Sequence, residues 1–269
     1  MPVALVLTLR PALAAQPHEA LGRTAHAAVL DLIREVAPAL AESLHAESQL
    51  RPLAVTPPYA ANGQSLVQVV PTQHYALRIA STSAELDEIL AGWEAQPPAT
   101  LPFGGVAWHV VAASSDPREP WGGRASYAAL VQAGTAAASR GEDGWLFEFG
   151  APIMFRRSGL TMPLPLPELV FGSLFDRWNA FAPLPLPMPE LRELVTTQVA
   201  VGRIALTSVS IPTKNSVPQV ACVGQCGYRL TTANRPLAAV LATLARFARY
   251  SGVGAASARG FGMTRLREG

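Results

Sequence analysis

The order of secondary structure elements limits the fold of this chain more than any other feature of its sequence. The first half contains four predicted strands and two long helices in the order β-α-β-β-α-β, which is the ferredoxin-like arrangement. Their bounds are Val3–Arg10, Pro17–Val36, Leu53–Thr56, Ser65–Ile79, Ser83–Trp93 and Phe103–Val111. A short additional helix, Pro38–His45, begins with proline in its first turn. The first half is therefore predicted to form a ferredoxin-like domain.

The second half repeats this order with additional elements. A segment rich in proline, glycine, serine and charge, Ala113–Gly123, is typical of a linker. Beyond it, the predicted strands are Trp145–Arg156, Gln198–Ser210, Gln219–Leu230 and Met263–Arg267, and the predicted helices are Ser126–Ala137, Glu168–Phe181 and Arg235–Ser251. The sequence therefore predicts an α+β fold of two tandem ferredoxin-like domains, residues 1–115 and 124–269.

Composition is typical of a folded protein without membrane spans. Of the 269 residues, 49% are hydrophobic and 15% are charged, which allows a sizeable core. No segment approaches a run of about 18 apolar residues, so no membrane span is expected, and the use of cysteine is that of a cytoplasmic protein. Cys222 and Cys226 lie about 13 Å apart on an extended strand, too far for a disulfide, and are expected in the core. No metal-ligand spacing and no cofactor motif is present in the sequence.

The charge of the chain leaves nucleic-acid binding open. The formal net charge of +2 is too small to indicate a polyanionic partner by itself. Lys214 is the only lysine, however, and the other permanently basic side chains are arginines. Arginine forms bidentate contacts with phosphate and stacks on bases. A GC-rich genome would explain the same bias equally well.

A glycine-rich segment near the C-terminus favours a ligand that carries phosphate. Four glycines lie within eleven residues after an apolar helix, and they are Gly252, Gly254, Gly260 and Gly262. Clustered backbone N–H groups can hold a phosphate. The spacing is not the GxGxxG fingerprint, because Ser257 replaces the third glycine, and it is not a Walker A loop. RNA or DNA is therefore the favoured ligand, and a tight turn that packs the loop is the alternative.

Several segments, in the same order along the chain, match one known family. Leu244–Gly254 and Arg259–Met263 look like its C-terminal glycine-rich signature, and Val223–Gly227 looks like its Gly-x-x-Gly strand. Further similar segments are Pro38–His45, Arg51–Leu53, Phe155–Gly159, Pro163–Pro165 and Leu174–Asn179. In this order they resemble the CRISPR-associated endoribonucleases that cut precursor CRISPR RNA within its repeats.

The resemblance implies a metal-independent reaction on CRISPR repeat RNA. The 2′-hydroxyl beside the scissile phosphate attacks phosphorus, giving a 2′,3′-cyclic phosphate and a 5′-hydroxyl. This reaction needs a general base, a general acid and positive charge or N–H donors at the phosphorane. Retention of the product, other subunits of a CRISPR effector complex and a homodimer are left open.

Two histidines are candidates for the proton transfers. The resemblance assigns His45 as the catalytic histidine, and a histidine that caps the helix C-terminus is the alternative. Some members use a tyrosine on the first long helix, where the matching residue here is Leu30. His26 lies one turn earlier and is the candidate replacement, with a solvated helix residue as an equal alternative.

Basic residues complete the predicted site. Arg51 lies where the family often has a catalytic lysine or arginine. RNA contacts are expected from Arg23, from Lys214 in the turn of the long hairpin, from Arg259 and from the four glycines. For Arg51, Arg23 and Lys214 the alternative is an ordinary surface residue. Arg259 has no such structural reason to stand inside a glycine loop, so a phosphate contact is favoured.

Two other functions are left open at this point. A non-catalytic RNA-binding subunit of a CRISPR effector complex would have the same fold and glycine loop. His45 and Arg51 favour the nuclease, whereas the missing tyrosine does not. A structural interaction protein is a third reading, and it would lack the steep salt dependence that phosphate contacts give to RNA binding.

Overall fold

The chain folds into two α+β units, each built around one main antiparallel sheet. The computed structural model describes residues 1–16, 21–46, 50–60, 66, 68–212 and 218–267. Unit 1 comprises Met1–Arg124 and Ser257–Gly260, and unit 2 comprises Ala125–Ala256 and Phe261–Gly269. The segment Ser257–Gly260, which the sequence analysis assigns to the second domain, thus belongs to unit 1.

Unit 1 has the strand order of a ferredoxin-like sheet. Its elements are β1 (Val3–Pro11), α1 (Leu21–Val36), α2 (Pro38–Ala46), β2 (Leu53–Val55), β3 (Tyr59–Ala60), β4 (Tyr75–Ser81), α3 (Ala84–Ala95), β5 (Thr100–Phe103), β6 (Val106–Ser114) and β7 (Gly123–Arg124). The sheet order is β2-β4-β1-β6-β5, with β3 paired to β4 and β7 paired to β1. Alternate residues of β1, namely Leu5, Leu7 and Leu9, are fully buried. They share one core with Ala25 and Val29 of α1, so the apolar stripe of α1 lies in the core of the unit.

Unit 2 repeats this topology. Its elements are α4 (Tyr127–Ser139), β8 (Gly144–Ile153), β9 (Phe155–Arg157), β10 (Leu160–Met162), α5 (Pro167–Phe181), α6 (Leu191–Gln198), β11 (Val199–Ile211), β12 (Gln219–Leu230), α7 (Arg235–Ser251) and β13 (Thr264–Arg267). The sheet order β11-β12-β8-β13 matches β2-β4-β1-β6 of unit 1, strand for strand. The predicted fold class, two tandem ferredoxin-like domains, is confirmed.

Most long elements lie where the sequence predicts them. Ser83 caps α3 as expected, because its Oγ accepts a hydrogen bond from the Leu86 N–H at 3.2 Å. Both cysteines are free and buried, and the Cys222 thiol donates to the Pro163 carbonyl. Several short elements were not predicted, among them the hairpin strand β5 and the short helix α6. In the part of the chain that the structure describes, no helix is both long and apolar enough to cross a membrane.

Candidate active site

Three distant segments of unit 1 meet at one place. Helix α1 carries His26, the last turn of α2 carries His45, and Arg51 lies shortly before β2. A single 3₁₀ turn, Ser257–Arg259, packs against both α1 and β2. The structure thus brings the three predicted catalytic residues together with Arg259.

A close contact between two glycines holds the 3₁₀ turn against α1. A Cβ atom on Gly22 would lie 2.8 Å from the Arg259 carbonyl oxygen and 2.9 Å from the Gly260 Cα. Gly260 has a φ of +99°, and a Cβ there would lie 2.9 Å from the Gly22 Cα and 3.2 Å from Pro57 Cδ. Residues four apart share a helix face, so His26 lies on the same face as Gly22. Gly22 was not among the predicted site residues, and its only signal in the sequence is a glycine one turn before His26.

His26 is buried in positively charged surroundings. Its residue surface is only 7% exposed, and Nδ1 has no hydrogen-bond partner among the described residues. Burial, followed by the positive charges of Arg51, Arg259 and His45, lowers the pKa of His26 from 6.5 to about 4. The ring is therefore neutral near pH 7. The alternative of a solvated helix residue is wrong, because the side chain is buried.

His45 presents its side chain differently from His26. It lies in the last turn of α2 and is exposed, while Ala41 and Leu44 anchor that helix in the core. Its carbonyl oxygen accepts a hydrogen bond from Arg51 Nη2 at 3.3 Å. This bond ties the half-buried Arg51 to the end of α2 and satisfies one of the free carbonyls at the helix C-terminus. The site therefore has one buried and one accessible imidazole.

The expected cradle of N–H donors does not form at three of the four glycines. The amide of Gly252 donates to the Ala248 carbonyl at 3.0 Å, and that of Gly262 donates to the Pro152 carbonyl at 2.9 Å. The amide of Gly254 donates to Ser173 Oγ at 3.0 Å. These amides are not available to a phosphate.

These glycines serve instead to turn the chain. Gly252, Gly254 and Gly262 have φ angles of +66°, +79° and +76°, in the left-handed region that glycine adopts easily. A Cβ on Gly254 would lie 2.4 Å from the Met154 carbonyl oxygen. The carbonyl of Gly254 in turn accepts from Nη2 of the buried Arg177 at 3.0 Å. The tight-turn alternative therefore describes their local role.

Two predicted RNA-binding arginines lie at the surface of unit 1. Arg23 and Arg259 are exposed, and neither forms an ion pair with any residue that the structure describes. Arg259 is nevertheless close enough to His26 for its charge to act on that ring. Lys214 falls outside the described residues. The positive charge of the site is thus carried by Arg51 and Arg259, with Arg23 nearby on α1.

The grouped residues provide two chemical capacities. Two imidazoles can exchange protons with a bound molecule, and guanidinium groups beside them can hold an anion. Phosphodiester cleavage needs both capacities at one phosphate. Among residues 1–16, 21–46, 50–60, 66, 68–212 and 218–267, no three His, Cys, Asp or Glu side chains come together as a metal-ligand group.

Models of two protein-family domains match the chain in succession. The CRISPR Cas6 N-terminal domain matches residues 1–132. The CRISPR-associated endoribonuclease Cas6 matches residues 147–264. Between them they account for nearly the whole sequence, including all three catalytic candidates and Arg259. No curated protein sequence matches the chain.

Solved structures show the same relationship. A Cas6 of Thermus thermophilus in a product complex is 25% identical, covers 99% of this chain and 100% of its own, and gives a TM-score of 0.80. A second Cas6 in a product complex is 29% identical, with 99% of both chains covered and a TM-score of 0.75. A Cas6-related protein of Pyrococcus furiosus is 13% identical, covers 100% of this chain and 99% of its own at a TM-score of 0.65, and shows the fold alone.

Proposed function

The chain belongs to the Cas6 family of CRISPR-associated endoribonucleases, and from this premise we propose that it cuts precursor CRISPR RNA within the repeats by metal-independent transesterification. The observation that carries the proposal is the meeting of His26, His45, Arg51 and Arg259 in unit 1. The 2′-oxygen attacks the adjacent phosphorus, and the products end in a 2′,3′-cyclic phosphate and a 5′-hydroxyl. Two imidazoles and two guanidinium groups supply what this reaction requires.

The four residues have separate roles in the proposal. His45 and His26 form the acid–base pair, since each proton transfer needs one imidazole. Arg51, which is fixed to the end of α2 by its bond to the His45 carbonyl, stabilises the charge of the phosphorane. Arg259 binds the phosphate from the opposite segment, and the contact of Gly22 with Gly260 sets its position.

Other basic residues extend the RNA contact in the proposal. Arg23 is exposed on the helix that carries His26, so a neighbouring phosphate would meet it. Lys214 is proposed to contact the RNA from the turn of the β11–β12 hairpin. Such contacts add affinity without sequence information. The substrate is repeat RNA, and the product is released slowly or retained for a CRISPR effector complex.

A substrate with one altered sugar tests the reaction directly. Repeat RNAs from the CRISPR arrays of the source genome are offered with ribose or with 2′-deoxyribose just upstream of the scissile phosphate, both in excess EDTA. We expect the ribose substrate to be cut and the deoxy substrate to be bound but left intact, because it lacks the nucleophile. Cleavage that stops in EDTA and returns with magnesium would contradict the proposal.

The variant His45→Ala tests the assignment of the site. Removal of a general acid or base typically costs about 10²-fold or more in rate, so single-turnover cleavage should fall by at least that factor. Binding of the deoxy substrate should change little. Arg34→Ala is the matched control, because Arg34 lies on α1 but pairs with Asp31 at the surface. A fully active His45→Ala protein would contradict this assignment and favour a different catalytic centre. If the wild-type protein binds repeat RNA but never cuts it, the non-catalytic subunit is the better interpretation.

A further inference from the structure

His26 has a property that its place in an acid–base pair does not explain. Its ring is buried beside positively charged groups, and its Nδ1 has no hydrogen-bond partner among the described residues. We propose that an anion held between Arg51 and Arg259 converts His26 from a neutral to a protonated ring, so that the scissile phosphate itself charges the general acid. This inference rests on the proposed function and assigns the two histidines to separate steps. It also predicts a property of the protein that can be measured without any cleavage.

The groups around His26 come from each segment that packs near it. Arg51 precedes β2, Arg259 ends the 3₁₀ turn, and His45 ends α2. Among the described residues, the groups whose charge lowers the pKa of the ring are Arg51, Arg259 and, in its protonated form, His45. On its own helix, Arg23 is three residues earlier and exposed. Among the residues that the structure describes, the charges that shift the pKa of this ring are thus positive ones.

The unpartnered nitrogen is a second observation that points to a ligand at this ring. A buried polar side-chain atom normally has a hydrogen-bond partner, and each exception requires an explanation. Nδ1 of His26 is such an exception within the described chain, on a residue only 7% exposed. An anion that Arg51 and Arg259 hold beside the ring would offset the repulsion from both guanidinium groups. The anion would thereby stabilise a proton on the ring.

The resulting order of proton transfers balances. His45 takes the proton from the 2′-hydroxyl as the 2′-oxygen forms its bond to phosphorus. The bond from phosphorus to the 5′-oxygen then breaks, and that oxygen takes its proton from the His26 imidazolium. His26 ends neutral and His45 ends protonated. His45 is exposed and can return its proton to water, whereas the buried His26 keeps its proton until the leaving oxygen needs it.

Sodium sulfate is the probe that tests this coupling, because it is an anion without a titration of its own in the relevant range. The ring signals of His26 are followed by NMR from pH 3 to 8 in sodium sulfate and in sodium chloride of equal ionic strength. The His26→Gln variant identifies those signals. We expect sulfate to raise the pKa of His26 by one unit or more, which is a tenfold or greater gain in proton affinity.

Two arginine variants separate the cluster from general salt effects. Arg259→Ala should raise the pKa of His26 in chloride, because a positive neighbour is gone, and should reduce the response to sulfate. Arg34→Ala should change neither value, since its guanidinium pairs with Asp31 on the exposed face of α1. Equal responses of all three proteins would show that sulfate acts elsewhere, and this would overturn the inference.

The outcomes for the inference and for the proposed function are distinct. A His26 pKa that does not rise in sulfate, in a wild-type protein that still cuts repeat RNA, refutes the coupling and leaves the nuclease assignment intact. A normal sulfate response in a protein that binds but never cuts repeat RNA supports the anion site and refutes the nuclease. Folding of Arg259→Ala is verified by the unchanged ring signals of His74 and His109, which lie in other parts of unit 1.

Discussion

Replacing Gly22 with alanine tests the contact that places Arg259 beside His26. The new Cβ would lie 2.8 Å from the Arg259 carbonyl oxygen and 2.9 Å from the Gly260 Cα, and ordinary contacts begin at 3.4 Å. Both obstructing atoms belong to the backbone, so no side-chain rotation relieves the overlap. The 3₁₀ turn must therefore move away from α1 by about half an ångström or more.

The expected change in the free energy of unfolding combines a small gain in helix propensity with a larger loss from overpacking. Alanine is favoured over glycine in a helix by at most about 1 kcal/mol. Forcing an extra carbon into a packed contact costs about 1–3 kcal/mol. Gly92→Ala is the matched control, because Gly92 lies in α3 and a Cβ there would meet no atom within 4 Å. We expect Gly92→Ala to stabilise the protein and Gly22→Ala to be less stable than it by about 1–3 kcal/mol.

Two measurements check this prediction. Urea unfolding gives the free energy of unfolding of both variants, and single-turnover cleavage of repeat RNA gives their rates. A displaced turn moves Arg259 away from His26, so Gly22→Ala should also lose rate, whereas Gly92→Ala should not. If the two variants are equally stabilised and equally active, the contact between Gly22 and Gly260 does not position the site.

Three further predictions concern single groups. The pKa of His26 is about 4 in the folded protein and 6.5 ordinarily, so between these pH values the unfolded chain binds a proton that the folded protein does not. The free energy of unfolding, measured with urea, should therefore rise by about 3 kcal/mol from pH 4 to pH 6.5. His26→Gln should flatten this rise. Arg259→Ala should reduce the slope of log affinity for RNA against log salt by about one, while Arg34→Ala should leave the slope nearly unchanged; equal slopes would argue against a phosphate contact. Burial raises the pKa of the Cys222 thiol to about 11 and also raises that of Cys226, so a thiol reagent at pH 8 should label both cysteines only after unfolding.

The long elements were predictable because each carries its own local signals. Helix α7 has the predicted bounds, since Asn234 caps its start by accepting from the Leu237 N–H and Gly252 ends it with a positive φ. Strand β5 was missed although Gly104 and Gly105 form a tight turn, with φ angles of +63° and +77°. The single strand predicted at that place is in fact the second arm of a hairpin, and the short first arm lies too close to the preceding helix for its alternation to be distinguished.

The site was predictable only where its residues lie close in sequence. His45 and Arg51 are six residues apart, and the resemblance to one family segment covers both. The approach of Arg259 to His26 depends instead on the backbone contact of Gly22 with Gly260. No periodic pattern of apolar residues indicates a contact between positions so far apart in the sequence. His26 is also buried, which its position off the apolar stripe of α1 does not predict. Sequence therefore identified the chemical groups, while the charge state of His26 required the fold.

The glycine loop shows why a sequence signature and its chemistry can rest on different atoms. A phosphate cradle and a tight turn both require glycine, so composition alone does not distinguish them. The structure separates the two. The amides of Gly252, Gly254 and Gly262 donate to protein acceptors, and the positive φ angles of these residues turn the chain. Arg259 remains as the exposed charge of the segment. These glycines thus turn the chain, and we expect a phosphate to meet Arg259 and not their amides.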